Sequence, residues 1–180
     1  MIRPGRPQRV LLLCTANVCR SPTAEYLARD QLGSSDWIFR SAGFLESGRA
    51  SSSELIRVLD ERGIDLRRHR SYKVDLASLQ AADLVITMEG SHVQRATALW
   101  PGVLEKIVPL RQAATLIDSS PVRPSSIQEL LQVVVSQRDH ADYLGTRWDV
   151  ADPFGRSLQV YRRSVAEIES LMNTVLSALT

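Results

Sequence analysis

The sequence has little cysteine and no excess of charge of either sign. Its two thiols, Cys14 and Cys19, stand in one short segment. Such a pair lacks the spacing of a disulfide framework or of a structural metal site. The 22 basic and 20 acidic residues leave a net charge of +2, which is too balanced for a general polyanion binder. We therefore expect no metal, no cofactor and no nucleic-acid partner.

Long apolar runs are also missing from the sequence. No stretch approaches the roughly 20 apolar residues that cross a bilayer, and residues 1–9 contain no apolar signal-peptide core. We therefore expect a cytoplasmic protein with no membrane partner. With 180 residues, 44% of them apolar, the chain can bury a sizeable core as one domain over residues 1–180, with residues 1–7 as a flexible tail.

Short apolar runs alternate with amphipathic stretches along the chain. The predicted strands are 10–13, 37–39, 84–86 and 107–108, and the predicted helices are 22–32, 53–62, 91–99 and 157–179. This alternation predicts an α/β fold with three α-β-α layers around a central four-stranded parallel sheet. Residues 117–148 interrupt the rhythm with a Pro/Ser segment, a helix predicted over 127–137 and a polar link.

The loop after the first predicted strand is a candidate anion site. In parallel α/β sheets, ligands bind beyond the carboxyl ends of the strands, where this chain reads Cys14-Thr-Ala-Asn-Val-Cys-Arg-Ser21. Backbone amides and a helix N-terminus can surround an oxyanion, and Arg20 can hold two phosphate oxygens at once. The Walker pattern is absent, so nucleotide hydrolysis has no support. The predicted phosphate-binding residues are Thr15, Ala16, Asn17, Val18, Cys19, Arg20 and Ser21.

Cys14 is the predicted nucleophile of this site. The helix end, the loop amides, Arg20 and the Ser21 hydroxyl all favour a thiolate at this position. Attack of that thiolate on a phosphate ester would give a phosphocysteine intermediate. The alternative is that Cys14 is a buried thiol at a strand end and that Arg20 is a surface helix residue.

The loop motif and four later motifs together resemble a known family. The motifs are Cys-x5-Arg-Ser-Pro, then Ser41-Ala-Gly43, then Gly63-Ile-Asp-Leu66 with His69, then Asp83 to Met88, and finally Asp152-Pro153. In this order they resemble the low-molecular-weight protein tyrosine phosphatases, over about residues 8–112 and 148–180. The resemblance implies hydrolysis of phosphotyrosine, with Cys14 and Arg20 as catalytic residues and Asp152 as the general acid. The alternative for Asp152 is a helix cap.

The resemblance also implies roles for residues around the loop. Asn17 is expected to hold a strained backbone conformation, with Ser41 and His69 hydrogen-bonded to it. Phe44 and Phe154, with Thr15 and Val18, are the expected substrate rim. Cys19 is expected either to trap an oxidised Cys14 as a disulfide or to be an inert packed residue. His92 and His140 are expected to be solvated and without a role.

The sequence departs from the family pattern at three places. Ala16 stands where the loop usually has glycine, and Phe154 is followed by Gly155 where a second aromatic residue is common. Residues 117–148 are longer than the usual connection, and we expect them near the active site. These departures concern the shape of the loop and the choice of substrate more than the chemistry.

Three other functions remain open from the sequence. A protein arginine phosphatase of this fold has threonine where this chain has the apolar Val18. An arsenate reductase-like enzyme of this fold is the second alternative, but its triple-cysteine relay is excluded, because this chain has no cysteine outside the loop. A phospho-residue binding module would not need both Cys14 and Asp152. The expected partner is a phosphorylated protein and the expected product is inorganic phosphate; we expect a monomer or a weak dimer.

Overall fold

The structure, a computed structural model, describes residues 6–33 and 36–180 and their side chains, apart from those of His140 and Asp142. Most of the predicted N-terminal tail, residues 1–5, therefore lies outside the described residues. Arg6, also predicted to be in the tail, donates a hydrogen bond of 3.0 Å from Nη1 to Oδ2 of Asp83. This ion pair ties the start of the described chain to the segment before the third strand.

Four parallel strands form the central sheet. They are β1 Gln8–Cys14, β2 Trp37–Gly43, β3 Leu84–Thr87 and β4 Ile107–Pro109, in the order β2-β1-β3-β4. In the register of the sheet Cys14 lies opposite Gly43, and Leu13 lies opposite Thr87. Parallel strands end at a common edge, so this register brings the loops after β1, β2 and β3 together.

Helices cover both faces of the sheet and complete the three predicted layers. They are α1 Arg20–Leu32, α2 Ser53–Asp60, α3 Leu76–Ala81, α4 Gly90–Leu99, α5 Leu110–Ser119, α6 Ile127–Ser136 and α7 Leu158–Leu179, with 3-10 helices at Pro101–Lys106 and His140–Tyr143. The predicted fold class is therefore confirmed. Within the described residues, no helix is both long enough and apolar enough to span a bilayer.

Two apolar clusters fill the space between the layers. Alternate strand residues such as Leu12, Ile86 and Val108 pack against the face that holds α1, α2, α5 and α7. Their neighbours, including Leu13 and Val85, pack on the opposite face with residues of α3 and α4. Because both faces of the sheet are covered, the inner strands β1 and β3 have apolar residues at successive positions.

The predicted connection 117–148 begins inside a helix. Helix α5 runs to Ser119, and its buried residues Leu110, Ala113 and Ile117 recur at helical spacing. The predicted helix over 127–137 is observed as α6. The segment is packed onto the sheet edge, because Arg138 donates to the carbonyl of Ile107 at 2.7 Å and to the hydroxyl of Tyr143 at 3.2 Å.

Gly43 at the end of β2 lies directly against the loop after β1. A Cβ atom at this position would lie 2.7 Å from the Asn17 nitrogen, 2.8 Å from the Ala16 carbonyl carbon and 2.9 Å from the Thr15 oxygen. All three are backbone atoms, which cannot swing aside as a flexible side chain can. Glycine is therefore required here for space.

We expect Gly43→Ala to destabilise the protein by about 1–3 kcal/mol, because the methyl group forces the loop after β1 away from the sheet. Chemical denaturation measures the change. Gly145→Ala is the matched control, since a Cβ at Gly145 meets no atom within 4 Å and its backbone φ is not positive. Equal stability of the two variants would contradict the close approach.

Candidate active site

The sulfur of Cys14 receives hydrogen bonds from its own loop. The backbone N–H of Asn17 lies 3.2 Å from Sγ, and the hydroxyl of Ser21 lies 3.0 Å from it. Cys14 is the last residue of β1, and α1 begins at Arg20, so residues 15–19 form a turn between a strand end and a helix start. Two donors on one sulfur stabilise a negative charge on it.

Asn17 holds this turn in shape. Its φ of 55° is in the left-handed region, where residues other than glycine, asparagine and aspartate are strained. The Asn17 side chain donates to the hydroxyls of Ser21 at 3.0 Å and Ser41 at 2.8 Å, and it accepts from the Tyr72 amide at 2.9 Å. Nε2 of His69 donates to the Asn17 carbonyl at 2.8 Å. The expected network of Asn17, Ser41 and His69 is present.

Glu25 extends this network into α1, which the sequence does not predict. The Ser41 hydroxyl donates to Oε2 of Glu25 at 2.5 Å, and Arg29 pairs with Oε1 at 3.2 Å. The Glu25 carboxylate is almost completely buried. A buried carboxylate needs such partners, so Glu25 orients the Ser41 hydroxyl to accept from Asn17.

Arg20 is buried among carboxylates and carbonyls. Its Nη2 lies 2.8 Å from Oδ2 of Asp152, and its Nη1 donates to the Val150 carbonyl at 2.9 Å and to the Glu89 carboxylate. Burial works against the charge, but Asp152, Cys14 and Glu89 raise the pKa of Arg20 above its ordinary value. The guanidinium therefore stays cationic, and these three partners come from two segments, Glu89 and residues 150–152.

Asp152, the partner of Arg20, is partly open to solvent. Its side chain is 46% exposed, and Oδ1 accepts a hydrogen bond of 3.1 Å from the Phe154 amide. The segment before it is held to the helices, because Arg111 donates to the Asp149 carbonyl at 3.2 Å and Asp149 accepts from the Gly90 amide at 2.9 Å. The Asp152 carboxylate is therefore half exposed while the backbone before it is held in place.

A cavity of about 180 Å³ contains the catalytic candidates. Its lining residues are Cys14, Thr15, Ala16, Val18, Cys19, Arg20, Leu45, Arg49, Asp152 and Phe154. Of the two aromatic residues predicted at the rim, Phe154 lines the cavity and Phe44 does not. Leu45 and Arg49 line the cavity together with Phe154. The Arg49 guanidinium lies 6.0 Å from the Phe154 ring centroid.

His92 is buried, although the sequence predicts a solvated side chain. It is 1% exposed, and its Nε2 lies 3.0 Å from Oγ1 of Thr15. The ring of Phe44 stacks on it at a centroid distance of 5.5 Å, which explains why Phe44 is not at the rim. Burial lowers the pKa of His92 to about 4, so the imidazole is neutral at pH 7. The predicted position of His140 lies outside the described side chains.

Cys19 packs beneath the loop. Its sulfur lies 3.5 Å from the Ser52 hydroxyl and 3.7 Å from the Tyr161 hydroxyl, and burial raises the pKa of its thiol. Both cysteines are free thiols in the structure. A raised pKa leaves little thiolate on Cys19 at neutral pH. Its role as a trap for oxidised Cys14 stays a prediction.

Three residues of the site are not predicted from the sequence: Glu89, Arg49 and Leu45. Glu89 has a usable signal, since it follows β3 at the carboxyl edge of the sheet, where ligands bind. Burial opposes its charge, but the hydrogen bond from Arg20 lowers the pKa of Glu89.

Among residues 6–33 and 36–180, no group of three or more His, Cys, Asp or Glu side chains could hold a metal ion.

The chain is similar to phosphatases in sequence and in structure. The model of the family described as low molecular weight phosphotyrosine protein phosphatase matches residues 9–117. The protein-arginine-phosphatase of Geobacillus stearothermophilus is 29% identical over 96% of this chain and 97% of its own. A probable low molecular weight protein-tyrosine-phosphatase of Ralstonia nicotianae is 27% identical over 69% of this chain and 87% of its own. The solved low molecular weight protein tyrosine phosphatase of T. tengcongensis covers 96% of this chain and 99% of its own, at 30% identity and a TM-score of 0.71.

We expect Asn17→Ala to lower the free energy of unfolding by about 2–4 kcal/mol. The variant keeps the positive φ without a side chain suited to it, and it leaves the Ser41 hydroxyl and the Tyr72 amide without their buried partner. Asn173→Ala, at an exposed position of α7, is the control and should change stability by less than about 0.5 kcal/mol. A small, equal effect of both substitutions would show that the loop does not depend on Asn17.

Proposed function

Because this chain belongs to the low-molecular-weight phosphotyrosine protein phosphatase family, we propose that it hydrolyses phosphotyrosine in proteins, and aryl phosphates generally, through a phosphocysteine intermediate. One observation carries the proposal. A sulfur with two hydrogen-bond donors, a buried arginine and a half-exposed carboxylate line the same small cavity: Cys14, Arg20 and Asp152. These are a nucleophile, a phosphoryl clamp and a proton donor.

In the first step, the Cys14 thiolate attacks phosphorus and the bond from phosphorus to the ester oxygen breaks. The loop amides and Arg20 stabilise the charge on the three remaining phosphoryl oxygens. Asp152 gives its proton to the departing oxygen, so a neutral phenol leaves instead of a phenolate. The proposal requires Arg20 to turn from Asp152 towards the phosphoryl group, which frees the carboxyl for this transfer.

In the second step, water attacks the phosphorus of the phosphocysteine. Asp152, now a carboxylate, takes a proton from this water as it attacks. The bond between sulfur and phosphorus breaks, its electron pair returns to Cys14 as the thiolate, and inorganic phosphate is released. The hydrogen bonds from Asn17 and Ser21 stabilise the leaving thiolate and therefore assist this step as well.

The walls of the cavity favour an aromatic phosphoester. Val18, Leu45 and Phe154 are apolar side chains that suit a phenyl ring. Arg49 lies at the same opening, and its positive charge repels a cationic substrate while it tolerates a neutral phenol. These features support phosphotyrosine as the substrate class.

Phosphoarginine is the second candidate substrate. The observation in its favour is that the protein-arginine-phosphatase of Geobacillus stearothermophilus is 29% identical to this chain over 96% of its length. The guanidinium of phosphoarginine is cationic, however, and the lining of the cavity opposes it with Arg49 and offers it the apolar Val18. Asp152 is the only carboxylate among the lining residues that the structure describes.

Replacement of Asp152 tests the proposed chemistry. We expect Asp152→Ala and Asp152→Asn to lower kcat about 10²- to 10⁴-fold for aryl phosphates whose phenols leave poorly, and much less for those with acidic phenols. Asparagine keeps the acceptor for the Phe154 amide but has no acidic proton. Cys14→Ser is the inactive control, because an unactivated hydroxyl should give no turnover. Identical dependence on leaving-group acidity in wild type and both Asp152 variants would refute the assignment of the acid.

Charge reversal at Arg49 tests the proposed substrate class. We expect Arg49→Glu to raise the ratio of kcat/KM for a phosphoarginine peptide to that for a phosphotyrosine peptide by about 30-fold, because a repulsion is removed and an attraction is added at the opening, each roughly 1 kcal/mol. Arg163→Glu, an exposed position of α7, controls for the change in net charge. If wild type already prefers phosphoarginine, or the ratio does not move, Arg49 does not select the substrate.

A further inference from the structure

The hydroxyl of Thr15 lies between two nitrogen atoms. Nε2 of His92 is 3.0 Å from Oγ1, and Nη2 of Arg20 is 3.3 Å from it. Arg20 is a permanent donor, so Thr15 accepts from it. The direction of the contact with His92 depends on which imidazole nitrogen carries the proton.

The surroundings of His92 favour a proton on Nε2. Its Nδ1 is buried without a hydrogen-bond partner, and an unpaired N–H at that place is rarer and costlier than an unpaired lone pair. Oε2 of Glu89 lies 3.7 Å from Nε2, and its negative charge favours a proton on the nitrogen that faces it. His92 therefore donates to Thr15.

Two donors occupy both acceptor sites of the Thr15 hydroxyl, which leaves its own proton to donate. No other residue that the structure describes is hydrogen-bonded to Oγ1. Thr15 lines the cavity that contains Cys14 and Asp152. The free O–H bond is therefore available to an acceptor in this cavity.

We propose that the Thr15 hydroxyl is a further donor to the transferring phosphoryl group, and that His92 is the positioning residue that aims it. The inference rests on the proposed function, since it needs a phosphoryl group in the cavity. A donor that is already oriented costs no reorganisation when charge develops on the phosphoryl oxygens. His92, buried and neutral, fixes that orientation from α4 without itself reaching the substrate.

Thr15→Val removes the donor and keeps the shape of the side chain, and Thr15→Ser keeps the donor. We expect Thr15→Val to weaken binding of inorganic phosphate, measured by calorimetry, and to lower kcat/KM for an aryl phosphate with an acidic phenol, each about 10- to 100-fold. Thr15→Ser should stay within about threefold of wild type. Thr97→Val is the control on α4, where the threonine bonds only to the Val93 carbonyl, and it should change neither value.

A second pair of variants tests the positioning role. His92→Gln offers an N–H near the place of Nε2, whereas His92→Leu offers none. We expect His92→Leu to weaken phosphate binding and His92→Gln to restore most of the loss. In the double variant Thr15→Val/His92→Leu the losses should not add, because both act through one hydroxyl. A merely structural role of His92 predicts a fall in Tm with additive losses.

The outcomes separate this inference from the proposed function. Wild type that binds phosphate but hydrolyses neither an aryl phosphate nor a phosphoarginine peptide would refute the proposed function, and the calorimetric comparison would still test Thr15. Unchanged phosphate binding and kcat/KM in a folded Thr15→Val, with a Tm near that of wild type, would overturn the inference. So would additive losses in the double variant. If Thr15→Val does not fold, a loss in Thr15→Ser equal to that in His92→Leu would also contradict it.

Discussion

The site depends on one backbone conformation, the left-handed residue Asn17 at the centre of the loop after β1. That conformation turns the Asn17 amide towards the Cys14 sulfur. Its cost, on the order of 1–2 kcal/mol, is offset by hydrogen bonds with β2, with α1 and with the segment that contains His69 and Tyr72. The loop is therefore preorganised by neighbouring α1 and by residues up to 55 positions away in the chain that meet it at the end of the sheet.

The second constraint is the burial of a permanent cation beside the sulfur. Arg20 is 2% exposed, so it needs partners, and it has Asp152, Glu89 and a backbone carbonyl. Breaking such a set by removing one member leaves the remaining charges unpaired. The arginine, the proposed acid and Glu89 are one electrostatic unit, and the neutral His92 beside them adds no further positive charge to it.

The part of the site that is local in the chain can be predicted from the sequence. Cys14 to Ser21 is a contiguous segment between the strand β1 and the helix α1, so its place at the carboxyl edge of the sheet follows from the sequence, and its role in anion binding stays a prediction. Only the family resemblance predicts that three distant residues lie near this loop: Asp152, Ser41 and His69. Their positions in the chain do not by themselves show which residues meet in space. His92 could not be predicted at all, since a histidine near the start of an amphipathic helix is solvated or buried depending on what packs there. The place of Phe44 could not be predicted either, because the sequence does not show that its ring packs against His92.

The position of Asp152 is set by the sheet more than by its own loop. The amide of Val150 donates to the Met88 carbonyl at 2.8 Å just after β3, and Arg20 holds the Val150 carbonyl. Helix α5 holds the preceding residue through Arg111. The long connection before this segment can therefore vary in length without moving the carboxylate, because its end is anchored to β3, α1 and α5. That anchoring separates the position of the carboxylate from the conformation of residues 117–148.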